Sequence, residues 1–173
     1  MLPALQMILV MVFPALVTVG GLRDLTSYII PNWISITLAA AFLPAALAVG
    51  APLGDIGLHA AVGAGALVAG MVMFALGWIG GGDAKLFAAA GLWLGWPACL
   101  IFIAATAVAG GALALSLLML RSIWLRPFLP GGPAWFGRLV EPGESVPYGV
   151  AIAIGALAAL PYSTLPNLMA VAF

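Results

Sequence analysis

Few side chains in this 173-residue sequence could do chemistry, and two aspartates stand out among them. Asp24 lies in the segment LRDLTSYIIPNW, and Asp83 lies in GWIGGGDAKL. Two carboxyl groups held close together in a low-dielectric site do not both ionise readily, so they share a proton. The ionised group can then act as a general base on a water molecule while the protonated group acts as a general acid. This pair is therefore our candidate for hydrolysis of a peptide bond.

The remaining reactive side chains favour no other hydrolytic route. No His/Cys cluster has metal-ligand spacing, so we expect neither a metal nor another cofactor. His59 falls near the outer end of a predicted helix and no GxSxG turn occurs, which argues against a serine nucleophile. Cys99 stands alone in an apolar run, and we interpret it as a small buried hydrophobic residue.

Simpler roles are equally compatible with the residue types of the two aspartates. Asp24 next to Arg23, and Asp83 near Lys85, can be interfacial charges that mark helix ends and pair weakly. Lys85 itself is better explained as an interfacial anchor than as a group that tunes Asp83. Asp55, which follows Pro52 and Gly54, is expected to be a solvated turn residue.

Three glycines precede Asp83, and they predict a break after the third helix. Irregular backbone at membrane depth is tolerated only where it is buried in protein or lines a water-filled cavity. Gly80, Gly81 and Gly82 would also let an extended peptide approach without meeting a side chain. The alternative is that the triplet forms a tight loop or a helix-packing device.

The composition places most of the chain in lipid. Hydrophobic residues make up 65% of the sequence, charged residues only 6%, and the mean hydropathy is +1.26, whereas soluble domains carry about 25% charged residues. The net charge is zero and the basic residues form no patch, so a nucleic-acid partner is not expected. The fold class predicted is an all-α, polytopic transmembrane helix bundle forming a single domain over residues 1–173.

Six helices are predicted, the fourth of them short. The apolar runs long enough to span a bilayer cover residues 3–22, 33–50, 57–79 and 147–168. Residues 86–120 carry no charge and would form one helix of about 52 Å, too long for a single crossing. We expect them to fold back at Gly95, Trp96 and Pro97, where glycine and proline favour a turn. Small residues at 63–70 (GAGALVAG) predict a close approach between helices.

Six crossings put every basic residue on one side of the membrane, and positive residues in short loops favour the cytoplasm. These residues are Arg23, Lys85, Arg121, Arg126 and Arg138. Both termini are then predicted outside, in a multi-pass protein of the cytoplasmic (inner) membrane. Residues 121–146 become a cytoplasmic loop, which PGGP and EPGE predict to be irregular.

Three motifs occur in order along the chain and together resemble a known family. Asp24 is followed by Ile30-Pro31-Asn32; GGGD at 80–83 is followed by Lys85; and VPYG occupies 146–149. The sequence resembles the type IV prepilin and preflagellin peptidases, within the GxGD intramembrane aspartyl proteases. The resemblance implies that Asp24 and Asp83 are catalytic. Residues implied to line the substrate cleft or to support it are Pro31, Asn32, Gly80, Gly81, Gly82 and Lys85.

The resemblance also implies the substrate. It would be a pilin-like precursor with a basic leader and an apolar helix, cleaved between the two at the cytoplasmic face. Larger members carry two CxxC pairs and also methylate the new N-terminus, whereas this chain has one cysteine and resembles the small, cleavage-only branch of the Flp or Tad type. The alternative is a non-enzymatic transporter or assembly subunit that uses the aspartates to bind ions or protons. The sequence leaves the oligomeric state open.

Overall fold

A computed structural model of the chain describes residues 2–122 and 132–166, and this part of the chain is helical and contains no strand. Six main helices and one short helix follow in order. They are α1 (Leu2–Ser27), α2 (Asn32–Ala48), α3 (Leu53–Ala75), α4 (Gly81–Leu94), α5 (Ala98–Leu120), α6 (Ala134–Leu139) and α7 (Tyr148–Ala159). A 3₁₀ turn at Leu160–Tyr162 extends α7. The predicted all-α helix bundle is confirmed.

Among the described residues, three helices are long and apolar enough to cross a membrane: Ala4–Ser27, Leu53–Ala75 and Ala98–Leu120. The segments Asn32–Ala48 and Tyr148–Tyr162 are shorter apolar helices. Large apolar side chains cover the outside of the bundle, as lipid contact requires, and Val108 is 73% exposed. The architecture is that of a helical membrane bundle.

The predicted reversal between the fourth and fifth helices is confirmed. The fourth helix ends at Leu94, Gly95 takes a positive φ of 64°, and the fifth helix begins at Ala98. A positive φ is strained for residues with a side chain, so glycine suits this position. With 14 residues, α4 is about 21 Å long and is short, as predicted.

Two predicted helix ends beside the aspartates were wrong, and the last helix is also shorter than predicted, since the run at 147–168 forms α7 only to Ala159 and a 3₁₀ turn to Tyr162. The first helix continues through Ser27, so Asp24 lies in its last two turns and not after it. The third helix ends at Ala75, and Gly81 and Gly82 form the first turn of the fourth. An acidic side chain at the third position of a helix can bond the N–H of the residue before the helix. Asp83 bonds the Gly80 N–H in this way and so defines where α4 begins.

The loop predicted to be irregular contains the six-residue α6. Pro133 precedes this helix, and proline is well suited to a helix start. Residues 123–131, with Arg126, lie outside the described part of the chain, so the prediction for them stays a prediction.

The core lies around α4, which packs against α1, α2, α3 and α7, while α5 packs mainly on α7. Phe13, Leu38 and Trp93 are among the fully or almost fully buried side chains. The predicted close approach of small residues is confirmed between α3 and α4, where a Cβ added to Gly70 would lie 3.1 Å from the Ala84 backbone. In contrast, α2 barely touches α3, and α3 barely touches α5. Grooves therefore open between these helices.

Candidate active site

Asp24 is buried near the end of α1, where its carboxylate meets the start of α7. Its side chain is 6% exposed, and its Oδ2 accepts a hydrogen bond of 2.7 Å from the Gly149 N–H. The first N–H groups of a helix have no partner within it and form its positive end. The start of α7 therefore provides a donor, and a partial positive charge, to a carboxylate that is distant in sequence.

Asp83 is buried in the first turn of α4, 8% exposed. Its Oδ2 accepts a hydrogen bond of 3.0 Å from the Gly80 N–H, and its Oδ1 is buried without a hydrogen-bond partner among the described residues. Asp83 lies near Asp24, because Gly82, next to Asp83, and Gly149, in contact with Asp24, both lie against the Ile30 side chain. The ends of three helices thus bring the two predicted site residues together.

Neither aspartate forms an ion pair within residues 2–122 and 132–166. Arg23 is exposed, and the Lys85 ammonium donates a hydrogen bond of 2.8 Å to the Asn32 side-chain oxygen instead. The weak pairing of the aspartates with Arg23 and Lys85, which the simpler interpretation predicts, is therefore not seen in the described residues. Two buried carboxyl groups without a neighbouring cation favour a shared proton.

Gly149 permits the contact between α7 and α1. A Cβ added at this residue would lie 2.7 Å from Ile30 Cδ1, 2.8 Å from Asp24 Cβ and 2.9 Å from Asp24 Oδ2. Such distances leave no space for a side chain, so glycine lets the backbone N–H reach the carboxylate. Sequence reasoning quoted VPYG as a motif but assigned Gly149 no role. A glycine two residues after Pro147, in the first turn of α7, is the signal that was available.

The Ile30-Pro31-Asn32 segment joins the three motifs. Ile30 is buried, and it lies against both Gly82 and Gly149, where added Cβ atoms would come within 3.1 Å and 2.7 Å of its side chain. Pro31, with φ −62° and ψ 138°, precedes the first residue of α2. Asn32 then accepts the bond from Lys85. The tripeptide therefore sets the spacing between the helix ends that carry the aspartates.

The glycines before Asp83 lie against the protein itself. An added Cβ would approach Asp83 Oδ2 at Gly80, the Phe74 ring at Gly81 and Ile30 at Gly82, at 3.1, 3.5 and 3.1 Å. These contacts give the triplet a packing role around the aspartates. Admission of a substrate strand beside it stays a prediction.

Hydrogen bonds hold the segment after α6 at the end of the bundle that carries the aspartates. Arg121, at the end of α5, donates hydrogen bonds to the carbonyls of Leu139 and Glu144 at 2.9 and 2.7 Å. Arg138 lies 4.8 Å from the Tyr28 ring centre and 3.5 Å from the Glu144 carboxylate. Burial raises the pKa of the Tyr28 phenol, so the ring that Arg138 covers stays neutral. These contacts place Arg121 and Arg138 at the end of the bundle where α1 ends, without a contact to either aspartate in the described residues.

No group of three or more His, Cys, Asp or Glu side chains lies together in the described ranges. The arrangement consists of two buried carboxyl groups, one helix N-terminus and a free carboxylate oxygen. It can hold one proton between two acids.

Helix packing and the carboxyl pair together define an integral membrane protein with a candidate hydrolytic centre at one end of its bundle. A family model described as the type IV leader peptidase family matches residues 11–115, more than half of the chain and both aspartates. The chain belongs to the type IV leader peptidase family, and is thus a multi-pass membrane peptidase. The match ends before VPYG, so the role of Gly149 rests on the geometry. No curated protein and no solved structure matches the chain.

Proposed function

We propose that the protein is an aspartyl endopeptidase in which Asp24 and Asp83 together cleave the leader from pilin-like precursors. The observation that carries this proposal is the convergence of both buried carboxyl groups on the N-terminus of α7, through the 2.7 Å bond from Gly149 to Asp24. Three chain segments are required to build it. Family membership supports the peptidase activity, and the carboxyl pair supplies the aspartyl mechanism.

The reaction needs one proton and one water molecule. An ionised carboxylate takes a proton from water as the water oxygen attacks the scissile carbonyl, and the protonated carboxyl group donates to the carbonyl oxygen. The resulting tetrahedral intermediate collapses, the C–N bond breaks, and the leaving nitrogen takes a proton from the pair. The proton belongs to both residues, and either microstate can begin the cycle. The Gly149 N–H stabilises charge on Asp24, and the buried, unpartnered Oδ1 of Asp83 suits a proton.

The substrate proposed is a precursor with a basic leader and an apolar helix, and the face proposed is the cytoplasmic one. Arg121, Arg138 and Lys85 lie at the same end as the aspartates through the contacts described above, and positive residues in short loops favour the cytoplasm. A peptide bond cut there would lie at the boundary between leader and helix. With one cysteine in the chain, only cleavage is proposed.

The test is processing of a pilin-like precursor by the purified protein in liposomes. Asp24→Asn and Asp83→Asn should each lower cleavage by about 10³-fold or more, because an amide can neither accept the water proton nor share one. Asp55→Asn, in the first turn of α3, is the matched control and should cleave at the wild-type rate. Both variants should insert in the membrane normally. Wild-type cleavage by either site variant would reject the dyad, whereas absence of cleavage by the wild-type protein would favour the non-enzymatic alternative.

A further inference from the structure

An apolar groove of about 730 Å³ lies between α3, α4, α5 and α7. It exists because α3 and α5 barely touch. None of its lining residues carries a charge, and many are small, including Gly65 on α3, Gly91 on α4 and Gly111 on α5. Along α5 its wall runs from Cys99 to Gly111, which corresponds to about 18 Å of helix. The groove therefore has the length of several helical turns.

The groove lies on the Asp83 side of α4. Residues four apart in a helix share a face, so Asp83, Phe87 and Gly91 follow one another along α4, and the last two line the groove. At its site end the groove is bounded by Ile79 and Tyr148, which immediately precede Gly80 and Gly149. Its wall thus continues directly into the residues that hold the carboxyl pair.

A second groove, of about 500 Å³, lies on the opposite face of α4. It is lined by Lys85, Asn32 and Leu92 among others. Its mouth is polar and holds an ammonium group, and on α4 it faces away from Asp83. An uncharged helix that must present a peptide bond to Asp83 is therefore better matched by the first groove than by this one.

We propose that the groove between α3, α4, α5 and α7 binds the apolar helix of the substrate, with the scissile bond just beyond its Ile79 and Tyr148 end. This inference rests on the proposed function and names the surface by which that substrate is recognised. Small residues let a helix approach closely in lipid, where packing supplies the attraction.

Two glycines make the groove testable without disturbing the fold. A Cβ added at Gly65 or at Gly111 meets no heavy atom within 4 Å, so a larger side chain at either residue projects into open space. Gly65→Leu and Gly111→Leu should each raise KM for the full precursor about tenfold or more, with kcat changed much less. Gly57→Leu is the matched control, since Gly57 is also unobstructed and lies on α3 outside the groove, and its kinetics should match wild type.

Photocrosslinking identifies the molecule that occupies the groove. A photoreactive side chain replaces Gly111 or, as the control, Gly57. Crosslinking of the precursor helix from position 111 and not from position 57 is the expected result. Unchanged KM in both groove variants, with cleavage still lost in the aspartate variants, would overturn the groove and leave the proposed function standing. Crosslinks from position 111 only to lipid or to a second copy of the chain would overturn it as well. If wild type cleaves nothing, the proposed function fails, and the crosslinks still report what the groove binds.

Discussion

The two ends of the helix bundle treat buried polar groups in opposite ways. At the end away from the aspartates, His59 is 2% exposed and both ring nitrogens have partners: Nδ1 lies 2.9 Å from the Leu92 carbonyl oxygen and Nε2 lies 2.8 Å from Thr164 Oγ1. The ring also stacks on Phe42. At the other end, Asp83 Oδ1 is buried and has no partner in the described ranges.

Other buried polar groups near His59 also have hydrogen-bond partners. Trp93 Nε1 donates to the Leu38 carbonyl at 2.8 Å, and Ser163 Oγ donates to the Trp93 carbonyl at 3.0 Å. Gly95 leaves space for the imidazole, because a Cβ there would lie within 2.7 Å of three ring atoms of His59. His59, Trp93 and Ser163 thus all have partners at this end, which favours stability, and the buried Thr106 hydroxyl farther along α5 is an exception among the described residues.

This comparison indicates that the chain is less well stabilised at the aspartate end, where we propose that the reaction takes place. A buried acceptor without a partner costs free energy of folding, and such groups are retained where function requires them. Changes at the aspartate end should therefore reduce catalysis more than stability, and changes at the His59 end should do the reverse. Three further predictions test this contrast.

Among these three predictions, the largest effect is expected for Gly149→Ala. The new methyl group would overlap Ile30 and Asp24, so α7 or Asp24 must move and the bond from Gly149 to the carboxylate is lengthened. We expect kcat for precursor cleavage to fall about 100-fold, as small displacements in catalytic groups do. Gly137→Ala, in α6 with open space around it, is the control and should retain wild-type cleavage. Normal turnover by Gly149→Ala would show that this contact does not matter for the reaction.

At the opposite end, His59→Ala should lower stability with little effect on chemistry. Loss of the ring leaves a cavity and unpaired polar partners, which should reduce the free energy of unfolding by about 2–4 kcal/mol. Unfolding in detergent measures this loss, and kcat per folded molecule should stay within about twofold of wild type. Ser116→Ala, at an exposed hydroxyl of α5, should change neither quantity. A full loss of cleavage in folded His59→Ala would mean that the two ends are coupled.

The smallest effect is expected for the bond between Lys85 and Asn32, which is exposed. Lys85→Ala and Asn32→Ala should each lower cleavage only a few-fold. Measured as a double-mutant cycle, their coupling should be about 0.2–1 kcal/mol, the range of exposed charged pairs. If Lys85→Ala instead matched the loss in Asp83→Asn, the lysine would have a direct part in the reaction.

Much of the fold was predictable because its signals are local. The lengths of the apolar runs predict how many helices the chain forms, and the turn at Gly95-Trp96-Pro97 follows from the backbone preferences of those residues. The number of main helices and the shortness of α4 were therefore both predicted correctly. Helix ends were less predictable. The start of α4 coincides with the bond between Asp83 and Gly80, and α3 both begins and ends earlier than predicted, at Leu53 and Ala75. Capping contacts of this kind are decided by side-chain geometry, which hydropathy does not record.

The candidate site divides in the same way. The residue types of Asp24 and Asp83, the apolar spans between them and the motifs around them are properties of the sequence, and they were enough to predict an acid pair in a membrane protein. Only the tertiary structure decided three further features. These are the convergence on Gly149, the packing of Ile30 between the helix ends, and the groove beside Asp83. These features join residues as far apart as 24 and 149, and contacts over such separations depend on how helices pack together in three dimensions.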